Sequence, residues 1–291
     1  MTPSMHGSRN IRRNSPIMTQ NSGEPDIFQN WLSETLAING EPEIPDVLYK
    51  FVSCESKYFA LSAHELLLHS RIRLSSRSEF NDPFDTVVKI TPPTIEEMAH
   101  IIITANGNSS EVLDSLPQMQ SSLRPERFIE SISRSLDELG IFSLAAKIHN
   151  PLMWAHYGCS HKGLAFVFSQ NSLNAIGALP VRYERDNKKI VPFNYHAIAL
   201  AAMSKGYDWL YESEWRVVQP SQAKKWIKIE PTVLKGVVFG AKCNSSDKEF
   251  IEELIARRIE SQLPDLEIYT ASIDNDEFEL QFKKTRSIAK A

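Results

Sequence analysis

Apolar residues along this chain alternate between two rhythms, helical and extended, and the rhythm changes at Pro, Gly and Asn. Ile27, Phe28, Trp31 and Leu32 recur at helical spacing behind Asp26, a capping residue, and Asn39-Gly40 ends the pattern. Val47–Phe51 reads as a short strand. Lys57–His69 reads as a helix with Tyr58, Leu61, Leu66 and Leu67 near one face, and Ile72–Ser75 alternates as a second strand. Phe80-Asn81-Asp82-Pro83-Phe84-Asp85 is a turn, because Asn and Asp bond nearby backbone and Pro bars a helix. Thr94–Gly140 is polar and helical in pattern, interrupted at Pro117 and Pro125, and predicts two or three inserted helices. Ile141–Leu144 follows as a strand, Asn150-Pro151 as a turn and Leu152–Tyr157 as a short helix. Gly163–Phe168 reads as a buried strand, followed by Val181–Tyr183. Asn194–Trp209 suits a helix ending near Lys205-Gly206. Glu214–Val218 and Val233–Phe239 read as strands, the second closed by Gly240. Asp247–Arg258 reads as an amphipathic helix with Phe250, Ile251, Leu254 and Ile255 inward and Ser246 as its cap, and strands at Leu266–Tyr269 and Phe278–Phe282 complete the pattern.

Strands are too numerous for a helical bundle, and helices are scattered among them. The expectation is an α+β fold, with a mixed or mainly antiparallel sheet core and inserted and flanking helices. Residues 1–25 are rich in Ser, Asn, Gly and Pro without periodicity and predict a disordered tail, within which Met18 offers an alternative start. Residues 26–291 then form a single α+β domain with a helical insertion at about 94–140.

Charge and cysteine content narrow the classes. A formal net charge of −4 gives no strong nucleic-acid signal. Three widely spaced cysteines, Cys54, Cys159 and Cys243, argue against a disulfide framework and for a reducing, cytoplasmic setting. No apolar run approaches the roughly 20 residues that span a bilayer, so no membrane partner is expected. The sequence has no Walker loop, no GxGxxG after a strand, no GxSxG and no HExxH.

Four constellations carry candidate chemistry. In Tyr211-Glu212-Ser213-Glu214-Trp215-Arg216, extended geometry puts Glu212 and Glu214 on one face and packs Trp215 and Val217 on the other. Two carboxylates on one face repel, raise the pKa of one, and divide acid and anion roles; the bland alternative is a solvated, ion-paired face. Asn150–Gly158 gathers Trp154, His156 and Tyr157, and aromatics with polar tips suit a planar ligand; as a rule Trp and Met more often build core. His156, Cys159 and His161 have a spacing that suggests zinc, but no second ligand pair accompanies them. Asp82 and Asp85 suggest a metal shared with Glu212 or Glu214, against simple turn chemistry, with Ser75 and Asn81 as rim groups.

Taken together, these motifs resemble a bacterial family of uncharacterised domains. The carriers are Leu48-Tyr49-Lys50-Phe51, the Asn81-Asp82-Pro83 turn, Trp154-Ala155-His156-Tyr157 before Gly163, and Glu212-Ser213-Glu214-Trp215-Arg216, over about residues 47–240. More distantly, the order Lys50, Ser75, Glu214 is similar to that of ADP-ribosyltransferases, although Lys50 stands where those enzymes usually have Arg or His. That resemblance implies an enzyme using NAD as substrate, with Glu214 and Glu212 catalytic and with Lys50, Ser75, Asn81, Trp154 and Tyr157 binding the nucleotide. Glu214 would stabilise the oxocarbenium-like charge and Glu212 would steer an unidentified acceptor macromolecule, in a bacterial toxin or phage-defence setting. A metal-dependent nuclease is the runner-up; Arg216 stands where such enzymes need a Lys base, and Arg stays protonated. A non-catalytic protein- or nucleotide-binding module is the third expectation.

Overall fold

In the computed structural model, residues 27–41, 43–87, 89–90, 94, 125–174, 176–186, 189–190, 198, 201–274 and 276–287 are described. The tail, most of the 94–140 insertion and the proposed Asp26 cap lie outside them. The fold is α+β, built on an eight-stranded, mainly antiparallel sheet. In chain order the elements are α1 (Ile27–Asn39), β1 (Val47–Val52), α2 (Phe59–His69), β2 (Arg71–Arg73), β3 (Lys89–Ile90), α3 (Pro125–Asp137), β4 (Gly140–Ala145), α4 (Pro151–His156), β5 (Leu164–Ser169), α5 (Gln170–Asn174), β6 (Ala178–Pro180), β7 (Arg182–Glu184), β8 (Lys189–Ile190), β9 (Ser204–Gly206), β10 (Glu214–Gln219), β11 (Trp226–Lys228), β12 (Leu234–Phe239), α6 (Ser245–Glu260), β13 (Glu267–Ile273) and β14 (Leu280–Ser287). The large sheet runs β14-β13-β12-β5-β1-β4-β10-β6, and β12–β13 is its one parallel pair among the described residues.

Period-two alternation divides the core between the sheet's two faces. Leu48, Phe142, Leu144, Leu164, Phe166, Phe168, Trp215 and Val217 point to one face, where Phe59, Ala63, Leu66 and Leu67 of α2 and Ile251, Leu254 and Ile255 of α6 cover them. Phe51, Ala145, Ala165 and Val167 point to the other and meet Met153 and Trp154 of α4. A third cluster packs Ile132 and Leu136 of α3 against Ile141 and Ala202. Arg258 is fully buried between these layers and donates to the carbonyls of Leu67, Pro231 and Pro264, tying α2 to α6.

Several local expectations change. The buried face of α2 is Phe59–Ala63–Leu66–Leu67; Tyr58 and Leu61 are exposed, because the helix begins at Phe59 and its apolar stripe is offset. Asn244, not Ser246, caps α6, its side chain accepting from the Asp247 N–H. The expected helix over 194–209 does not run to Lys205: Ser204–Gly206 is β9, pairing in parallel with β7, and Tyr207–Glu212 is a 3-10 helix. Asn39-Gly40 does end α1, with Gly40 at φ +70 and Glu41 N donating to Leu36 O. Gly163 precedes β5 where the chain passes the Val52 carbonyl so closely that a Cβ would lie 2.2 Å from its oxygen.

Candidate functional site

Three segments bring charge to one buried place beside β10. Along that strand Trp215 and Val217 enter the core with α2 and α6, so Glu214 and Arg216 project from the opposite face. Beside them stand Lys205 from β9, Glu212 from the end of the 3-10 helix, and Asp85 from the turn after Asn81. All five residues are buried, Arg216 completely.

Arg216 organises the group. Nε donates to Glu214 Oε1 at 2.7 Å and Nη2 to Glu214 Oε2 at 2.9 Å. Nη1 and Nη2 donate to Asp85 Oδ1 and Oδ2 at 2.9 and 2.6 Å, and Nη1 also donates to Ala202 O at 2.6 Å. All five guanidinium N–H groups are thereby used, which a buried Arg needs if its desolvation is to be offset. Lys205 Nζ bonds Glu212 Oε2 at 2.5 Å and Glu214 Oε2 at 3.3 Å, lies 3.5 Å from Asp85 Oδ2, and rests over the Trp209 ring.

Glu212 and Glu214 converge, but not by strand alternation. Ser213 adopts a left-handed conformation at φ 44, so the chain turns between the acids and Lys205 draws both carboxylates together. Neither belongs to a solvated face. Their environments differ. Burial would raise the Glu214 carboxyl, but Arg216 and Lys205 outweigh it and hold it at about 2. Burial, reinforced by Glu214, pushes Glu212 up instead. Glu214 N donates to Tyr183 Oη at 2.7 Å, which closes the inner side. On the outer side, half-buried Tyr157 donates its hydroxyl to Glu212 Oε1 at 2.6 Å. Burial and the Glu212 charge together raise the Tyr157 pKa, and the Asn81 side chain beside it opposes them.

Asn81 and Tyr157 therefore gather around the acids, whereas Lys50, two residues along β1 from Leu48, leaves the sheet on the α2 face and lies over the Phe142 ring. The half-buried Lys50 donates to Ser143 O at 3.0 Å. Burial lowers it to about 8, against the pull of Glu214. Asn81 is exposed at the rim.

Two further residues expected to bind nucleotide stand elsewhere. Trp154 is 0% exposed, donates Nε1–H to Ile148 O and packs edge-on against Phe51, so it is core and offers no face to a ligand. Ser75 bridges Ile141, which pairs with Val218, four residues along β10 from Glu214. At ~3.3 Å per residue that is about 13 Å, beyond the reach of a serine. The His156–Cys159–His161 spacing does not gather ligands either: His161 stacks on Trp154, and Cys159 sits against Glu55. Asp82 does turn chemistry, accepting from Phe84 N at 2.9 Å.

A family model described as a protein of unknown function, DUF2971, matches residues 153–217. The match runs from α4 through β10 and carries Tyr157, Tyr183, Lys205, Glu212, Glu214 and Arg216; Lys50, Asn81 and Asp85 come from the chain before it. No curated protein and no solved structure matches. Among the described residues no helix is long and apolar enough to cross a membrane.

Lys205 and Tyr183 are the site residues that sequence reasoning missed. Lys205 resembles the basic end of a helix, and only its pairing with Tyr183 across β9–β7 brings it inside. Tyr183 offers no local signal beyond being an aromatic in a short extended run.

Proposed function

We propose that this chain is an ADP-ribosyltransferase-like enzyme that uses NAD, with the reacting carboxylate at Glu212 rather than Glu214. The observation that carries the reading is the Tyr157–Glu212 contact at the edge of an otherwise closed ion network. Around that edge stand half-buried Trp209 and Tyr211 and exposed His156, with ring centroids 6.0 Å apart for Trp209–Tyr211 and 6.3 Å for His156–Tyr211. Such a rim suits a planar ring such as nicotinamide.

Cleaving the nicotinamide glycosidic bond develops positive charge on the ribose, and a fixed carboxylate stabilises it. Glu214 is poorly suited to that work, because Arg216 and Lys205 occupy both its oxygens. Glu212 has one oxygen on Lys205 and the other on the Tyr157 hydroxyl, a position that a ribose hydroxyl takes when Tyr157 rotates outward. Lys205 opposes the burial that raises Glu212, Asn81 contacts the substrate at the rim, and the acceptor enters over Tyr157. The metal-dependent nuclease reading loses support, because the Arg216 guanidinium fills the space between Asp85 and Glu214 that a cation would need.

The test is nicotinamide release from NAD, alongside thermal unfolding with NAD, ADP-ribose or Mg²⁺ added separately. NAD and ADP-ribose raise the unfolding temperature, and Glu212→Gln lowers turnover at least about 100-fold, the scale of one electrostatic stabiliser, while the variant still unfolds cooperatively above the assay temperature because Lys205 keeps Glu214 and Asp85 as partners. Equal NAD turnover by wild type and Glu212→Gln sinks the proposal. Stabilisation by nucleotide without turnover in either protein favours a binding module instead.

A further inference from the structure

We infer that the C-terminal half of α2 carries a zinc-type divalent cation site formed by His64, Glu65 and His69. Each offers one ligand atom, and the three atoms lie within 4.8 Å of one another. This is independent of the NAD reading. The α2 residues Ala63, Leu66 and Leu67 pack on the sheet face that receives Trp215, while Glu214 and Arg216 leave β10 on the other.

The geometry follows from the helix. Glu65 and His69 are four residues apart and share one face. His64 precedes Glu65 and swings toward the same place, with its ring centroid 5.1 Å from that of His69. The chain behind His69 is fixed: Ser70 takes a left-handed conformation, its N–H donates to Glu65 O, and Arg258 holds the Leu67 carbonyl at 2.8 Å. The ligand side chains thus stand on an anchored helical turn, His69 exposed and His64 and Glu65 half-buried.

A second observation points to a cation as ligand. Glu65 Oε2 is buried yet has no hydrogen-bond donor. Among the described residues it is ion-paired with Arg71, with Nη1 at 3.5 Å, long for a hydrogen bond, and a side chain 53% exposed. A buried carboxylate oxygen without a donor carries a desolvation cost, and a metal ion removes it. Two imidazoles and one carboxylate select zinc and its transition-metal neighbours over Mg²⁺ or Ca²⁺. Bonds of about 2.0–2.1 Å place tetrahedral ligands about 3.3 Å apart, so side-chain rotation closes the triangle while the backbone stays where it is. Three protein ligands leave the fourth position to water or to a ligand group.

The full-length, untagged protein, stripped with chelator, is titrated with ZnCl₂ by calorimetry and with CoCl₂ by visible absorption. About one ion binds per chain with an affinity of micromolar order; Mg²⁺ does not bind, and Co²⁺ gives the absorption of a four-coordinate site. His69→Ala, an exposed change, weakens binding roughly tenfold or more, and His64→Ala does the same. Arg71→Ala tightens binding a few fold, because it removes the guanidinium that competes for Glu65. Lack of saturable Zn²⁺ binding overturns the inference. So does binding that survives unchanged in the His64→Ala/His69→Ala double variant, since the ion then sits elsewhere. Thermal unfolding of each metal-free variant checks that the fold persists.

Discussion

Replacing Arg216 by Leu removes the centre of the ion network and leaves Asp85 and Glu214 facing each other in a buried place. The magnitude follows from the structure. Arg216 makes five hydrogen bonds at 2.6–2.9 Å and is fully buried. Glu214 is held at about 2 against an ordinary 4.5, worth about 3 kcal/mol at roughly 1.4 kcal/mol per pH unit. Breaking a buried pair from one side costs about 3–5 kcal/mol in total, because the orphaned charge remains desolvated. At ~2 °C per kcal/mol for a chain of this length, the unfolding temperature falls by roughly 6–10 °C.

The pH dependence separates this cause from simple loss of packing. In wild type the Glu214 pKa is lower folded than unfolded, so its stabilisation is complete above pH 4.5 and fades as pH falls toward 2. In Arg216→Leu the folded carboxyls titrate above their unfolded values. The penalty is therefore present at neutral pH and relaxes as the acids take up protons. The gap between the two proteins is widest near pH 7.5 and narrows at pH 4.5. Urea unfolding followed by tryptophan fluorescence at both pH values measures it. A loss below about 1 kcal/mol at pH 7.5, or a gap unchanged at pH 4.5, refutes the electrostatic argument.

Lys50→Met removes a cation that burial holds at about 8 against an ordinary 10.5; wild-type stability gains from this residue as pH climbs from 8 to 10.5, where the unfolded chain binds more protons, so the difference between variant and wild type shifts toward wild type across that window in denaturant midpoints. Trp154→Ala costs about 3–5 kcal/mol through the cavity it leaves and gives no selective loss of nucleotide affinity in the fraction that remains folded. Gly163→Ala drives a Cβ toward the Val52 carbonyl at 2.2 Å and separates β1 from the start of β5, seen as lost amide protection in both strands by hydrogen exchange.

Where one face of a strand must be buried, its pattern was readable. The strands at Val47–Val52, Gly140–Ala145, Leu164–Ser169, Glu214–Gln219 and Leu234–Phe239 fill the middle of the large sheet, and their apolar runs or alternations mark them without help from distant chain. Elements defined by remote partners were not readable. Ser204-Lys205-Gly206 is a strand only because Arg182-Tyr183-Glu184 lies beside it. The acid pair was legible as chemistry but not as geometry: a left-handed Ser213 has no signature in Glu-Ser-Glu, and strand alternation predicted convergence for the wrong reason. Trp154 carries the same polar tip whether it lines a pocket or a core; its hydrogen bond to Ile148 O, six residues before it, decides for the core. Asp85, weighed as a metal ligand beside Glu212 or Glu214, meets Glu214 through a guanidinium supplied by the chain itself.

The Asp85–Arg216 contact spans 131 residues, and the Tyr157–Glu212 contact spans 55. Loop-closure entropy makes such a pairing late: by the logarithmic law, joining ends 131 residues apart costs on the order of 4 kcal/mol before any contact is gained. The charges remain hydrated until the sheet that carries β10 and the turn that carries Asp85 have docked, and only then does the guanidinium close the cluster. Lesions there act chiefly on the unfolding limb, shortening the lifetime of the native state more than they slow its formation. The site thus reports on completion of the fold: a chain caught part-way keeps its carboxylates in water and unaligned.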